Sequence, residues 1–139
     1  MRLVDANVFV YALGEEHEYR TPCQRVIAEL RAEDLPATID VELLQEILHV
    51  YHRAGRTRFA HEVVLDIIGM FAEPLVVTRG TMLAAASLLT THPRLQSRDA
   101  VHTAVVLENR LEGIISADRA FDGIPGLTRF DPLELGKSW

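Results

Sequence analysis

Cysteine is nearly absent from this chain. Its 139 residues include one, Cys23, so no internal disulfide forms and a reducing compartment suits the protein. Long apolar runs are missing too: no stretch approaches the roughly 20 residues a membrane helix needs. The N-terminus, Met1-Arg2-Leu3-Val4-Asp5, places a carboxylate where an export signal keeps its apolar run, so a cytosolic protein is expected. No repeat, low-complexity segment or linker interrupts the chain, and its length predicts a single domain over residues 1–139.

Positive charge is also scarce. There are 14 Lys and Arg against 20 Asp and Glu, a formal net charge of −6. A protein that held nucleic acid mainly by neutralising phosphates would be basic. Either this chain avoids nucleic acid, or some of its acids cluster and carry cations; composition leaves both open. Hydrophobic residues at 48% and charged residues at 24% match ordinary globular usage and exclude a disordered tail or a disulfide-dense mini-protein. A chain of this size buries roughly 70% of its unfolded surface, enough for a core without staples.

Short apolar segments alternate with helical patterns. Leu3-Val4 opens a first strand, followed by the apolar run Val8–Leu13 and a polar loop from Gly14 to Arg20. Thr21-Pro22 reads as a helix start, since Thr caps and Pro fits the first helical position. Pro36–Ile39 predicts a second strand. Asp40 is placed to cap a helix to about Ala54, stopped by Gly55. Thr57 heads another in which Phe59, Val63, Val64, Ile67, Ile68 and Phe71 keep a 3.6-residue period. Pro74–Thr78 predicts a third strand, Gly80–Thr91 a helix, Ser97 a cap for a helix to about Arg110, Gly113–Ala117 a fourth strand and Leu127–Phe130 a fifth. Apolar strands separated by helices predict an α/β fold, a three-layer α/β/α domain with a mostly parallel central sheet. In such sheets, sites form at the carboxyl ends of the strands.

In a parallel sheet Asp5 and Asp118 lie on that edge, and Asp99 and Glu46 can reach it from helix positions. Asp5 follows the first strand and Asp118 the fourth, Asp99 opens a helix, and Glu46 lies within the helix after Asp40. Each also has a plain structural explanation. Asp118 suits a turn, Asp99 a helix N-terminus, and Glu46, four residues after Glu42, a solvated helix face. Asp5 has no such ready role, because a carboxylate directly after buried strand residues is costly. Two carboxylates about 4 Å apart repel by roughly 4 kcal/mol at an effective dielectric of 20, so a cluster of them calls for cations. Hard oxygen donors suit Mg²⁺ or Mn²⁺. Two such ions would bring the formal charge to about −2 and make the site attractive to phosphate. In-line attack of water on a phosphodiester is the chemistry suited to this arrangement.

The runs Leu3-Val4-Asp5-Ala6-Asn7-Val8, Leu44-Gln45-Glu46-Ile47-Leu48, Arg98-Asp99-Ala100-Val101-His102 and Ile115-Ser116-Ala117-Asp118-Arg119-Ala120-Phe121 resemble the four acidic blocks of PIN-domain nucleases, in order and over nearly the whole chain. Gly126–Pro132 resembles that family's last strand, and the likeness is greatest to VapC-type toxins of toxin–antitoxin pairs. The resemblance implies a Mg²⁺- or Mn²⁺-dependent ribonuclease whose acidic quartet is Asp5, Glu46, Asp99 and Asp118, acting as catalytic and metal-binding groups. It further implies that Asn7 and Ser116 support the quartet through hydrogen bonds. Asp122 is a possible extra carboxylate or a turn acid before Gly123. His102, near Asp99, is either structural or a hydrogen-bonding support. The resemblance also implies an RNA substrate, a small antitoxin partner wrapping the domain near Tyr11, Leu13 and the helices after Thr21 and Asp40, and a homodimer, with Met82-Leu83-Ala86 as a candidate face. Arg56, Arg98 and Arg119 are candidate backbone contacts to which no role is assigned, and no membrane association is expected.

Two other classes remain at this stage. A phosphatase or phosphotransfer domain of related topology also sets Asp at strand ends, although Asp5-Ala6-Asn7 lacks the Asp-x-Asp that one such family needs. A catalytically silent binding module with the PIN fold is the other.

Overall fold

The computed structural model describes all 139 residues. Four short strands form one parallel sheet in the order β2-β1-β3-β4: β1 (Arg2–Val4), β2 (Ala37–Thr38), β3 (Ile114–Ile115) and β4 (Arg129–Phe130). The central pairing sets Leu3 against Ile114 and Val4 against Ile115. Side chains alternate across a strand, and the packing follows. Val4 and Ile115 enter one core with residues of helices α1 (Ala6–Leu13), α2 (Arg20–Arg31), α3 (Val41–Arg53) and α4 (Thr57–Met70). Leu3 and Ile114 enter a second core with α5 (Arg79–Thr91) and α6 (Ser97–Glu108). Each face of the sheet is therefore covered by helices, which is the three-layer arrangement expected from unbroken apolar strands. No helix is long and apolar enough to cross a membrane.

Local sequence chemistry accounts for the starts of α3 and α5. The Asp40 side chain accepts a hydrogen bond from the Leu43 amide at 2.9 Å and caps α3. Thr78 caps α5, with Thr81 returning the bond to the Thr78 amide in a reciprocal capping box. The start of α2 differs slightly: Tyr19 occupies the N-cap with no side-chain bond, so Thr21 lies inside the helix. Thr57 and Ser97 likewise sit in the first turns of α4 and α6, and Arg56 and Gln96 hold the caps.

The expected strand at Pro74–Thr78 is reduced to a single parallel bridge between Asp40 and Leu75. The Leu75 amide bonds the Ile39 carbonyl at 2.8 Å and the Val41 amide bonds the Leu75 carbonyl at 3.0 Å. Pro74 has no donor to extend the ladder, Val76 is 67% exposed, and by Thr78 the chain is already capping α5. Tertiary placement at the sheet edge thus leaves an apolar run unpaired.

One glycine has a direct steric reason. Gly113 has φ of +155°, and a Cβ there would lie 2.0 Å from the Thr128 carbonyl oxygen. This is where β3 begins to pair with β4, through Ile114 N to Thr128 O at 2.9 Å. Gly113→Ala is expected to separate these strands and lower stability by roughly 1–3 kcal/mol; a urea midpoint equal to that of the parent chain would contradict this.

Candidate functional site

The carboxyl ends of β1 and β3 bring the first acids together. Asp5 follows β1, is 4% exposed and stands at the N-cap of α1 without capping it through its side chain. It instead accepts a 2.6 Å bond from the Ser116 hydroxyl. Ser116 Oγ also accepts from Asn7 Nδ2 at 3.0 Å and from the Asp118 amide at 3.0 Å, while Asn7 Oδ1 accepts from the Ala117 amide at 3.3 Å. Asn7 and Ser116 therefore tie the turn after β1 to the turn after β3.

Glu46 arrives from α3, with a side chain 12% exposed. Its Oε1 lies 2.5 Å from His102 Nε2 and its Oε2 3.3 Å from Arg98 Nε. Asp5, Glu46 and His102 present donor atoms all within 4.8 Å of one another. Asp99 and Asp118 do not join that tight set. Asp99 Oδ2 accepts from the Gln96 amide at 2.9 Å at the head of α6, and the exposed Asp118 accepts from the Ala120 amide at 2.8 Å. They nevertheless belong to the same electrostatic neighbourhood. Burial first, then the charge of Asp118, raises the Asp99 carboxyl above its ordinary value, against the lowering effect of the Gln96 amide. Burial pushes Asp5 up to about 6; Glu46 and Asp99 add to this, while His102 and Ser116 oppose it.

His102 is at the centre of the cluster. It is fully buried, and its Nδ1 lies 2.7 Å from Asp40 Oδ2. Burial disfavours charge on the ring, but Asp40, Glu46 and Asp5 outweigh it and hold the imidazole well above its ordinary value. A ring carrying both protons donates to a carboxylate on each side. Asp40 is the functional-site neighbour that sequence reasoning missed. It looked like a helix cap and is one, but a single carboxylate has two oxygens, and the second meets a histidine 62 positions along the chain. Local patterning contains no signal for that contact.

Asp122 is not part of the cluster. It forms a two-pronged ion pair with Arg129, Nε to Oδ1 at 2.7 Å and Nη2 to Oδ2 at 3.3 Å, and Arg129 also bonds Asp131 at 3.0 Å. Cys23 is buried, and its thiol is pushed up to about 12, chiefly by burial, so it is no nucleophile.

The donor set suits a hard divalent cation. Glu46 and Asp99 oppose ionisation of Asp5, and Asp118 opposes that of Asp99. Oxygen is the only donor type left open, because His102 commits both nitrogens to carboxylates. Beside Glu46 lies a cleft of about 400 Å³, lined by Asn7, Gln45, His49, Ser97 and Arg98 among others.

Comparison with known proteins agrees with this architecture. The PIN domain family model matches residues 2–127. Ribonuclease VapC13 of Mycobacterium tuberculosis is 33% identical over 129 residues, which cover 93% of this chain and 98% of that protein. Among solved structures, FitAcB from Neisseria gonorrhoeae superposes with a TM-score of 0.74 at 18% identity, over 96% of this chain and 99% of that one. A toxin-antitoxin complex from Klebsiella pneumoniae does so with a TM-score of 0.65 at 16% identity, over 92% of this chain and 96% of that one. At these identities the structural matches establish the fold, whereas the family model and VapC13 establish kinship: this chain belongs to the PIN-domain family and, within it, to the VapC ribonucleases.

Proposed function

We propose that this protein is a metal-dependent endoribonuclease, the toxin of a type II toxin–antitoxin pair, acting as one domain over residues 1–139 in the cytosol. The observation that carries the reading is the buried crowding of Asp5 and Glu46 about His102, at the strand ends of a VapC-family fold. Asp5, Glu46, Asp99 and Asp118 would hold the cation. Mg²⁺ or Mn²⁺ bound there supplies positive charge against the scissile phosphate and acidifies a water for attack.

The chain's own groups prepare that chemistry. Ser116 and Asn7 hold the Asp5 carboxylate in one orientation across two strands. Asp40 and His102 hold Glu46 from the rear. Arg98, half exposed at the rim, sits on Glu46 Oε2, and its guanidinium is placed to meet a phosphate of the substrate.

The partner side of the reading has its own support. The Klebsiella pneumoniae neighbour is a toxin-antitoxin complex, and this chain offers apolar surface at Leu13, Val41 and Val50, near where an antitoxin is expected to lie. Met82 and Leu83 are 52% and 57% exposed on α5, and with Ala86 they form the face on which we place a homodimer. The experiment is mapping of new RNA ends in total cellular RNA incubated with the purified chain. Discrete cleavage with Mg²⁺ or Mn²⁺ and none in chelator is expected; cleavage persisting in chelator would defeat the metal mechanism.

A further inference from the structure

The distribution of basic residues solves the charge problem posed by composition. From Ile47 to His61 the chain carries Arg53, Arg56, Arg58, His49, His52 and His61 and no carboxylate, in a protein whose net charge is −6. This segment is the end of α3, the turn at Gly55 and the start of α4. Two grooves meet there. The cleft beside Glu46 and a second groove of about 360 Å³ between α3 and α4 share Gln45 and His49, and the second continues to His52 and His61. Gln45, His49 and His52 recur at helical spacing on one stripe of α3, so the path runs about 10 Å from Gln45 to His52 at 1.5 Å per residue and ends at the arginines of the turn.

Those arginines are free to bind an anion. Arg53 and Arg56 have no carboxylate within ion-pair distance, and Arg58 meets only Glu62, at 3.5 Å with 93% of its own side chain exposed, a contact worth little. Arg56 is held in place by stacking, its guanidinium 4.0 Å from the Phe59 ring centroid and 5.6 Å from that of Tyr51.

We propose that the substrate RNA leaves the carboxylate cluster along the α3 stripe and is anchored by its phosphates at Arg53, Arg56 and Arg58, an inference that rests on the ribonuclease reading above. A local cationic tip opening into an acidic cleft lets an acidic protein hold a polyanion: the tip binds the flanking backbone and the carboxylates are left for the cation. A protein partner of the same face is the competing occupant. The absence of any carboxylate over fifteen residues, joined to the site by a continuous groove, favours the nucleic acid.

The test uses the full chain carrying Asp5→Asn, so that bound RNA is not cut, and a fluorescein-labelled single-stranded 20-mer RNA of mixed sequence read by anisotropy across a salt series. Each phosphate contact adds about 0.7 to the slope of log K against log salt for a single strand. Arg53→Gln with Arg58→Gln is expected to lower the slope by about 1.4 and weaken binding at least fivefold at low salt. Adding Arg56→Gln should lower the slope by about a further 0.7. Because Arg56 packs on Phe59, the double variant that retains it is the decisive one. Arg110→Gln, at the opposite end of the strands, should change nothing. An unchanged slope in the double variant, or loss of a co-expressed partner protein with RNA binding intact, overturns the proposal. If the parent cuts cellular RNA and binds the 20-mer while the variants match it, only the path is wrong. If the parent cuts but does not bind the 20-mer, the path is again wrong. If it neither binds nor cuts RNA with Mn²⁺, the ribonuclease reading falls as well.

Discussion

Asp5→Asn is expected to abolish RNA cleavage, by a factor of at least about 10³, and at the same time to stabilise the metal-free fold. The two effects have one cause. Asp5 is buried within donor-atom reach of Glu46, and burial and neighbouring acids push its carboxyl up to about 6. An acid whose folded value lies above its unfolded value, near 3.9, favours the fold fully only below about pH 4. That contribution is lost as pH rises through about 6. Asparagine is neutral throughout and its amide oxygen still accepts from Ser116. The stability gap between variant and parent should therefore be near zero at pH 4 and open to about 1–3 kcal/mol by pH 7. Added Mn²⁺ should reverse the order, since a ligand of the native state stabilises only the chain that binds it. Thermal melts at pH 4 and pH 7, with chelator and with Mn²⁺, check this. A variant less stable than the parent at pH 7 in chelator would show that the carboxylates are not in conflict.

Asp40→Ala is expected to be among the most destabilising single substitutions in the chain, at about 3–5 kcal/mol. Asp40 is fully buried and serves two elements. Its Oδ1 caps α3 at the Leu43 amide, a role worth about 1 kcal/mol. Its Oδ2 compensates His102, and without it a buried imidazolium loses a partner. Asp40→Asn should keep the cap and restore part of the loss, because the ring then bonds in its neutral form. Both variants should weaken Mn²⁺ binding in calorimetry, since Glu46 loses the support behind His102. Urea unfolding gives the stability order: parent above Asn above Ala. An Ala variant within about 1 kcal/mol of the parent would mean that the Asp40–His102 pair carries no weight.

The phosphatase and silent-module alternatives weaken for different reasons. Family membership disfavours the first. Keeping buried acids in conflict with no ligand to relieve them disfavours the second, because the Asp5→Asn gain would be available at no functional loss.

Asp5 was legible as a candidate because it directly follows a strand, and in a parallel sheet adjacency in topology means adjacency in space. Asn7 and Ser116 came only with the family resemblance, and their bonds to one another and to Asp5 cross from one strand end to the next. Asp99 and Asp118 were legible as acids near the same edge, but their own carboxylates are bound up in local hydrogen bonds to the Gln96 and Ala120 amides, so they stand outside the tight set of Asp5, Glu46 and His102. His102 was underweighted and Asp40 read for only one of its oxygens, because their bond joins the head of α3 to a buried face of α6. The strand expected at Pro74 had the right composition but pairs only at Leu75, because the chain beyond Asp40 turns at once into α3 and leaves no further strand beside it.

Most helix spans, the Asp40 cap and the parallel α/β class follow from periodicity, punctuation and charge, all of which act within a few residues and are written in the local order of the chain. The Asp40–His102–Glu46 chain of contacts, the tie through Ser116, and the meeting of a cationic turn with an acidic cleft exist only after folding. Each depends on side chains tens of residues apart whose distance is set by how two helical layers pack on one sheet.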